Sequence, residues 1–241
     1  MGRQTVTPPY SVTGAYEALL EAVRTAAEDA NTNPPVVMRP LGSCFTRAEG
    51  NEAVAFEAYL YLKDWPCRRL RRDRHLHVVI KAREKFSTKP SWKLTESTVS
   101  LNYFVVSRFT ACLAQALHYD FVEGGQEDHP FFHVQLDDEV IPDVDLQSAG
   151  FDFELDSSVR SSECGVTTRI PTPDMTFASV LYCMVADHLG AGIFSQFREK
   201  VRSIENRLPP PDCEALRRSF RESPTHFKSS HWFAHMSGPA Q

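Results

Sequence analysis

Residues 11–31 carry apolar side chains at Tyr16, Leu19, Leu20, Val23, Ala26, Ala27 and Ala30, the spacing that gives a helix one apolar face. Thr13 is the expected N-cap, and Asn31-Thr32-Asn33-Pro34-Pro35 ends the pattern. The period then changes to two. Val54, Phe56, Ala58, Leu60 and Leu62 alternate with Glu57, Tyr59, Tyr61 and Lys63 over residues 53–63. Leu76, Val78, Ile80 and Ala82 alternate with His75, His77, Lys81 and Arg83 over residues 75–83. A third strand is expected in 98–107. Two more lie on either side of Gly124-Gly125 and Pro130, with Leu117, Tyr119 and Phe121 on one face of the first and Phe132, Val134 and Leu136 on one face of the second. Strands with short connections and no helix between them predict an antiparallel meander with one apolar face.

Residues 137–164 are acidic and Ser-rich and leave open one more edge strand or a loop. Beyond them, Thr172 as N-cap, Pro173 in the first helical position and Asp174 in the first turn announce a helix. Its stripe is Phe177, Val180, Leu181, Met184, Val185, His188 and Leu189, and Gly190 is expected to close it. A second helix is expected over 193–208, with Ile193, Phe194, Phe197, Val201, Ile204 and Leu208 on its apolar edge, and a short charged one over 212–222. The predicted class is α+β: an antiparallel sheet of about five strands with an N-terminal helix and C-terminal helices packed on one face. Residues 1–208 are expected to form a single domain, with a helical appendage and tail over 209–241.

The 241 residues are ample for a core, and a net charge of -5 argues against a general nucleic-acid coat while leaving room for a local basic patch. Cys44, Cys67, Cys112, Cys164, Cys183 and Cys213 are widely spaced, which fits neither a zinc ribbon nor a disulfide scaffold. Cys112 and Cys183 sit in apolar runs, where thiols are usually inert. The polar first ten residues do not read as a signal peptide, and no apolar run is long enough for a bilayer. A cytoplasmic protein without membrane association is the expectation. Walker-type, Gly-x-Gly-x-x-Gly and His-Glu-x-x-His motifs are absent, removing the main support for ATPase, dinucleotide and zincin chemistry.

Chemistry concentrates around the double glycine. His118 and Asp120 alternate with the apolar positions of one strand, His133 and Gln135 with those of the next, and His129 falls at the turn. Alternation alone calls for polar residues there but not for histidines. Two imidazoles and a carboxylate (His118, Asp120 and His133) can ligate a divalent metal. Equally, a His–Asp pair can do general acid–base work, since imidazole titrates near neutrality and a carboxylate can orient it. Arg68, Arg69, Arg71, Arg72 and Arg74 form a basic knot between two strands, suited to phosphate contacts, with Trp65 before it placed to stack on a base. Arg169 is a further candidate phosphate clamp or, more readily, a salt-bridge partner for the acidic run just upstream. His188, on an apolar stripe, reads as a hydrogen-bonded core histidine, and His231 and His235 lie in a tail that gives them little weight.

Over residues 113–190, His118-Tyr119-Asp120, then His129-Pro130-Phe131-Phe132-His133, then Arg169-Ile170-Pro171 before an amphipathic helix resembles bacterial domains found beside toxin–antitoxin and phage-defence genes, including the TumE-type toxins. The sequence departs from them at His118, where such domains often carry arginine. The resemblance implies a defence or toxin context more than a mechanism. Two functions are therefore expected as alternatives. One is a nuclease-like enzyme acting on nucleic acid through His118, Asp120, His129 and His133, with the arginines holding phosphates. The other is a non-catalytic subunit that docks a co-encoded protein or RNA through its basic loop and acidic run.

Overall fold

The computed structural model describes residues 7–30, 33, 36–37, 41–48, 53–66, 75–107, 110–122, 132–137, 154–160 and 176–210. The alternating segments pair as expected. Strands β3 (Ala53–Trp65), β4 (His75–Ser87), β5 (Lys93–Ser107), β6 (Thr110–Val122) and β7 (Phe132–Asp137) form an antiparallel meander in sequence order. Three short strands extend it. β1 (Val36–Val37) and β2 (Phe45–Arg47) both pair with β3, and β8 (Glu154–Arg160) runs parallel to the first part of β6. The acidic section thus contains an additional strand.

Three helices, α1 (Tyr10–Asp29), α2 (Phe177–His188) and α3 (Ala191–Ile204), pack on the apolar face of the sheet, and Glu205–Arg207 adds a 3-10 turn. Val54, Phe56, Ala58, Leu60 and Leu62 of β3, Leu76, Val78, Ile80 and Ala82 of β4, and Leu117, Tyr119 and Phe121 of β6 are buried with them, so the predicted inward faces are the observed ones. Tyr16 of α1 sits among Phe56, Phe45 and Phe86, at ring separations of 4.6, 5.9 and 6.4 Å. Burying rings of this size supplies on the order of 2–3 kcal/mol each, which fixes α1 to the sheet.

Several boundaries differ from expectation. α1 starts behind Pro9, whose carbonyl accepts from the Val12 and Thr13 amides, so Thr13 lies inside the helix rather than at its cap. Val12 is buried and carries the apolar stripe one turn earlier. α2 is capped by Thr176, whose hydroxyl accepts from the Ser179 amide at 3.1 Å, and not by Thr172. Gly190 opens α3 instead of closing α2, because the chain turns extended at Leu189. β4 continues four residues past Arg83. The apolar alternation is interrupted by Glu84, which occupies an inward position, and Phe86 resumes the apolar phase. Residues 172–174 and 211–241, including the helix expected over 212–222, lie outside the described residues.

Candidate functional site

The register of the sheet places its polar positions in rows across the face opposite the helices. One row runs Tyr59, Lys81, Ser100 and His118; the next runs Glu57, Arg83, Thr98 and Asp120, and Gln135 and His133 are the backbone partners of His118 and Asp120 on β7. Directly paired residues have Cβ atoms about 5 Å apart, close enough for side chains to touch. His118 and Asp120, two apart on β6, share this face, and Ser100 is the direct cross-strand partner of His118.

These three side chains form a hydrogen-bonded chain. Asp120 Oδ2 lies 2.8 Å from His118 Nε2, and Ser100 Oγ lies 2.9 Å from His118 Nδ1. An ionised carboxylate only accepts, so in this pair Nε2 carries the hydrogen. That tautomer leaves the Nδ1 lone pair facing the Ser100 hydroxyl. The Asp120 side chain is 10% exposed and that of His118 28%, so the acid is sheltered while the imidazole keeps an edge towards solvent. The local dielectric is therefore below that of water, and the hydrogen bond that orients the ring is strengthened.

Cations stand on the same face. Lys81, opposite Ser100, reaches over the Tyr59 ring with Nζ 5.4 Å from its centroid. Arg83, opposite Thr98, is exposed and makes no ion pair among the described residues. Lys85 is committed to Glu96 at 2.8 Å. The β4 side of Ser100 thus carries positive charge.

The sequence-predicted residues divide as follows. His118 and Asp120 are brought together as expected, on the face turned away from the core. His133 is the backbone partner of Asp120 on β7. His129, Arg68, Arg69, Arg71, Arg72, Arg74 and Arg169 lie outside the described residues, as do His231 and His235. Trp65 is 1% exposed within the core cluster, which overturns its expected role in stacking on a base: the last residue of β3 turns inward. His188 is buried as expected and stacks on Tyr103 at 5.5 Å, but its Nε2 finds no hydrogen-bond partner among the described residues. Cys44 is buried and Cys112 and Cys183 half-buried, and none of the three is in a disulfide. Among the described residues no group of His, Cys, Asp or Glu side chains is arranged to hold a metal ion.

Three features escaped the sequence reading. Ser100 is one; its signal was its outward phase on β5. The second is Glu84, 1% exposed, which accepts from the Tyr16 hydroxyl, from the Phe177 amide at 2.9 Å and from Ser97 Oγ at 3.3 Å. It joins α1, β4, β5 and the start of α2. Burial raises its pKa against the lowering effect of those hydrogen bonds, and burial followed by the Glu84 charge raises that of Tyr16. A glutamate on an inward strand position was the available signal.

The third is a cluster at the end of β3. Asp64, at φ 53°, has Oδ1 3.0 Å from His75 Nδ1 and 3.6 Å from His77 Nε2, while its other oxygen accepts from Asn33 Nδ2 at 2.7 Å. Burial pushes the His77 imidazole down to about 4, against the opposing pull of Asp64. A shallow groove between Tyr10, Gly14, Glu17 and Arg207 is on the helical side, remote from the relay. No known protein family, curated protein or solved structure matches the chain.

Proposed function

We propose that this protein acts on nucleic acid as a nuclease-like hydrolase of the bacterial defence or toxin type, using the outward face of its sheet as the active surface. The observation that carries the reading is the 2.8 Å contact between His118 and Asp120, with the imidazole open to solvent on one edge. The carboxylate sets the tautomer and ring orientation, and the imidazole moves a proton at Nδ1. Lys81 and Arg83 supply positive charge to a phosphodiester on this face. Arg68, Arg69, Arg71, Arg72, Arg74 and Arg169 are the additional candidate phosphate holders, His129 and His133 remain further candidates for the reaction, and the likeness to TumE-type and phage-defence domains supplies the context.

Both ring nitrogens of His118 are engaged, one by Asp120 and one by Ser100. Serving as a metal ligand would require one of those bonds to break. The donor set therefore favours imidazole-based proton transfer over a metal held by His118, Asp120 and His133.

The test is incubation of the purified protein with end-labelled RNA, single-stranded DNA and duplex DNA, with and without a chelator. Cleavage of at least one polymer, persisting in chelator, is the expected result. Tight binding with no cleavage, unaffected by Asp120→Asn, would instead identify a docking subunit and end the enzymatic reading.

A further inference from the structure

Resting on the proposed nucleic-acid hydrolysis, we infer that Ser100 is the nucleophile of this site and that the reaction passes through a phosphoseryl intermediate. The geometry is that of an activated hydroxyl. With Nε2–H fixed by Asp120, the lone pair of His118 Nδ1 faces the Ser100 hydroxyl oxygen at 2.9 Å, inside the reach a general base needs. The other ring nitrogen is engaged by Asp120, so the proton that His118 takes in the first step comes from Ser100. Ser100 is half-buried on a strand paired on both sides, which holds its backbone rigid.

The same pairing selects the electrophile. Acyl transfer needs donors for a developing oxyanion, most often backbone amides. β5 is flanked by β4 and β6 along this stretch, so its amides are engaged in the two ladders. A phosphoryl group is stabilised by side-chain cations instead, and Lys81 stands directly opposite Ser100 with Arg83 two residues further along. Phosphorus is thus the centre this site fits, and a phosphodiester the substrate class.

The steps balance with water as the only co-reactant. The Ser100 Oγ–H proton passes to His118 Nδ1 as Oγ bonds to phosphorus, and the bond from phosphorus to the leaving ribose or deoxyribose oxygen breaks. That oxygen takes the proton from the imidazolium. Water then gives a proton to Nδ1 as it attacks phosphorus, the Oγ–P bond breaks, and Oγ recovers the proton. The net products are a phosphomonoester and an alcohol. Ser100 and His118 are the catalytic residues in this scheme, and Asp120 is a positioning residue.

The probe is a biotinylated fluorophosphonate, which captures an activated serine at phosphorus with loss of fluoride and needs no nucleic acid. Labelling of the full chain, located by peptide mass spectrometry, is expected at Ser100. It should vanish in Ser100→Ala and His118→Ala, slow at least tenfold in Asp120→Asn, and be replaced by thiol labelling in Ser100→Cys, each variant first checked for a native melting profile. Absence of label at Ser100 in the folded wild type, or undiminished labelling in His118→Ala, overturns the assignment. His118-dependent labelling with every polymer left intact sustains the serine and removes the nucleic-acid reading. Cleavage by Ser100→Ala at the wild-type rate removes the serine and leaves that reading standing.

Discussion

Glu84→Gln offers a sharp test of how the helices are held on the sheet. Glu84 is buried beneath α1 and α2 and accepts hydrogen bonds from Tyr16, Ser97 and the Phe177 amide. Truncation to alanine strands these donors, at about 1–3 kcal/mol for each one left buried without an acceptor. Glu84→Ala should therefore cost roughly 3–9 kcal/mol, a large part of the 5–15 kcal/mol typical of a domain. Glutamine keeps the shape and an acceptor oxygen, and the Tyr16 hydroxyl can turn to accept from its amide, so that change should cost far less. The diagnostic is pH. The folded-state pKa of Glu84 is raised by burial, whereas an unfolded glutamate titrates near about 4.3. The native state thus holds a proton that the unfolded state has released. Stability from this group is full below the unfolded pKa and is lost as pH rises through the folded one, at up to about 1.4 kcal/mol per pH unit inside that window. Glutamine cannot titrate. Urea unfolding of both proteins at half-unit intervals from pH 4 upward should show wild type losing ground to Glu84→Gln as pH rises. Parallel curves, or wild type gaining, would refute the buried-carboxyl account.

His77 acts with the opposite sign. Its imidazole is held down at about 4 by burial, against about 6.5 when unfolded, so its contribution is full above the unfolded value and lost as pH falls towards 4, by about 3 kcal/mol. His77→Gln should flatten the acid limb of the stability profile, measured by the same unfolding series. Thr176→Ala removes the hydroxyl that caps α2 and should lower stability by about 1 kcal/mol, read as a shift in the urea midpoint with unchanged slope. Arg83→Glu should weaken nucleic-acid binding at low salt and reduce the slope of log affinity against log salt by about one. An unchanged slope in a filter-binding titration would take Arg83 out of the interface.

The meander was legible because each strand buries one face, so its alternation survives in the residues themselves. The helices were legible by their stripes, but not by their ends. Thr172 is the cap expected, whereas α2 begins at Phe177, which is buried in the core, behind Thr176. The pairing of His118 with Asp120 followed from alternation on one strand. Ser100 did not follow, because its position depends on register. The tight β5–β6 connection alone would set Ser100 opposite Leu117; a one-residue shift between Tyr103 and Phe104 moves it opposite His118. Glu84 was passed over for a different reason. A charge on an inward position reads as the end of a strand until its donors, from elements far apart in the chain, are brought to it.

The central claim is that the His118 imidazole moves the proton in cleavage of a nucleic acid. His118→Ala, verified as folded, should cleave the preferred polymer at least a hundredfold more slowly than wild type, the lower end of what a positioned acid–base group supplies being about 10². Added imidazole should restore a saturable part of the rate to His118→Ala and none to Ser100→Ala. Wild-type cleavage by His118→Ala without imidazole would contradict the account.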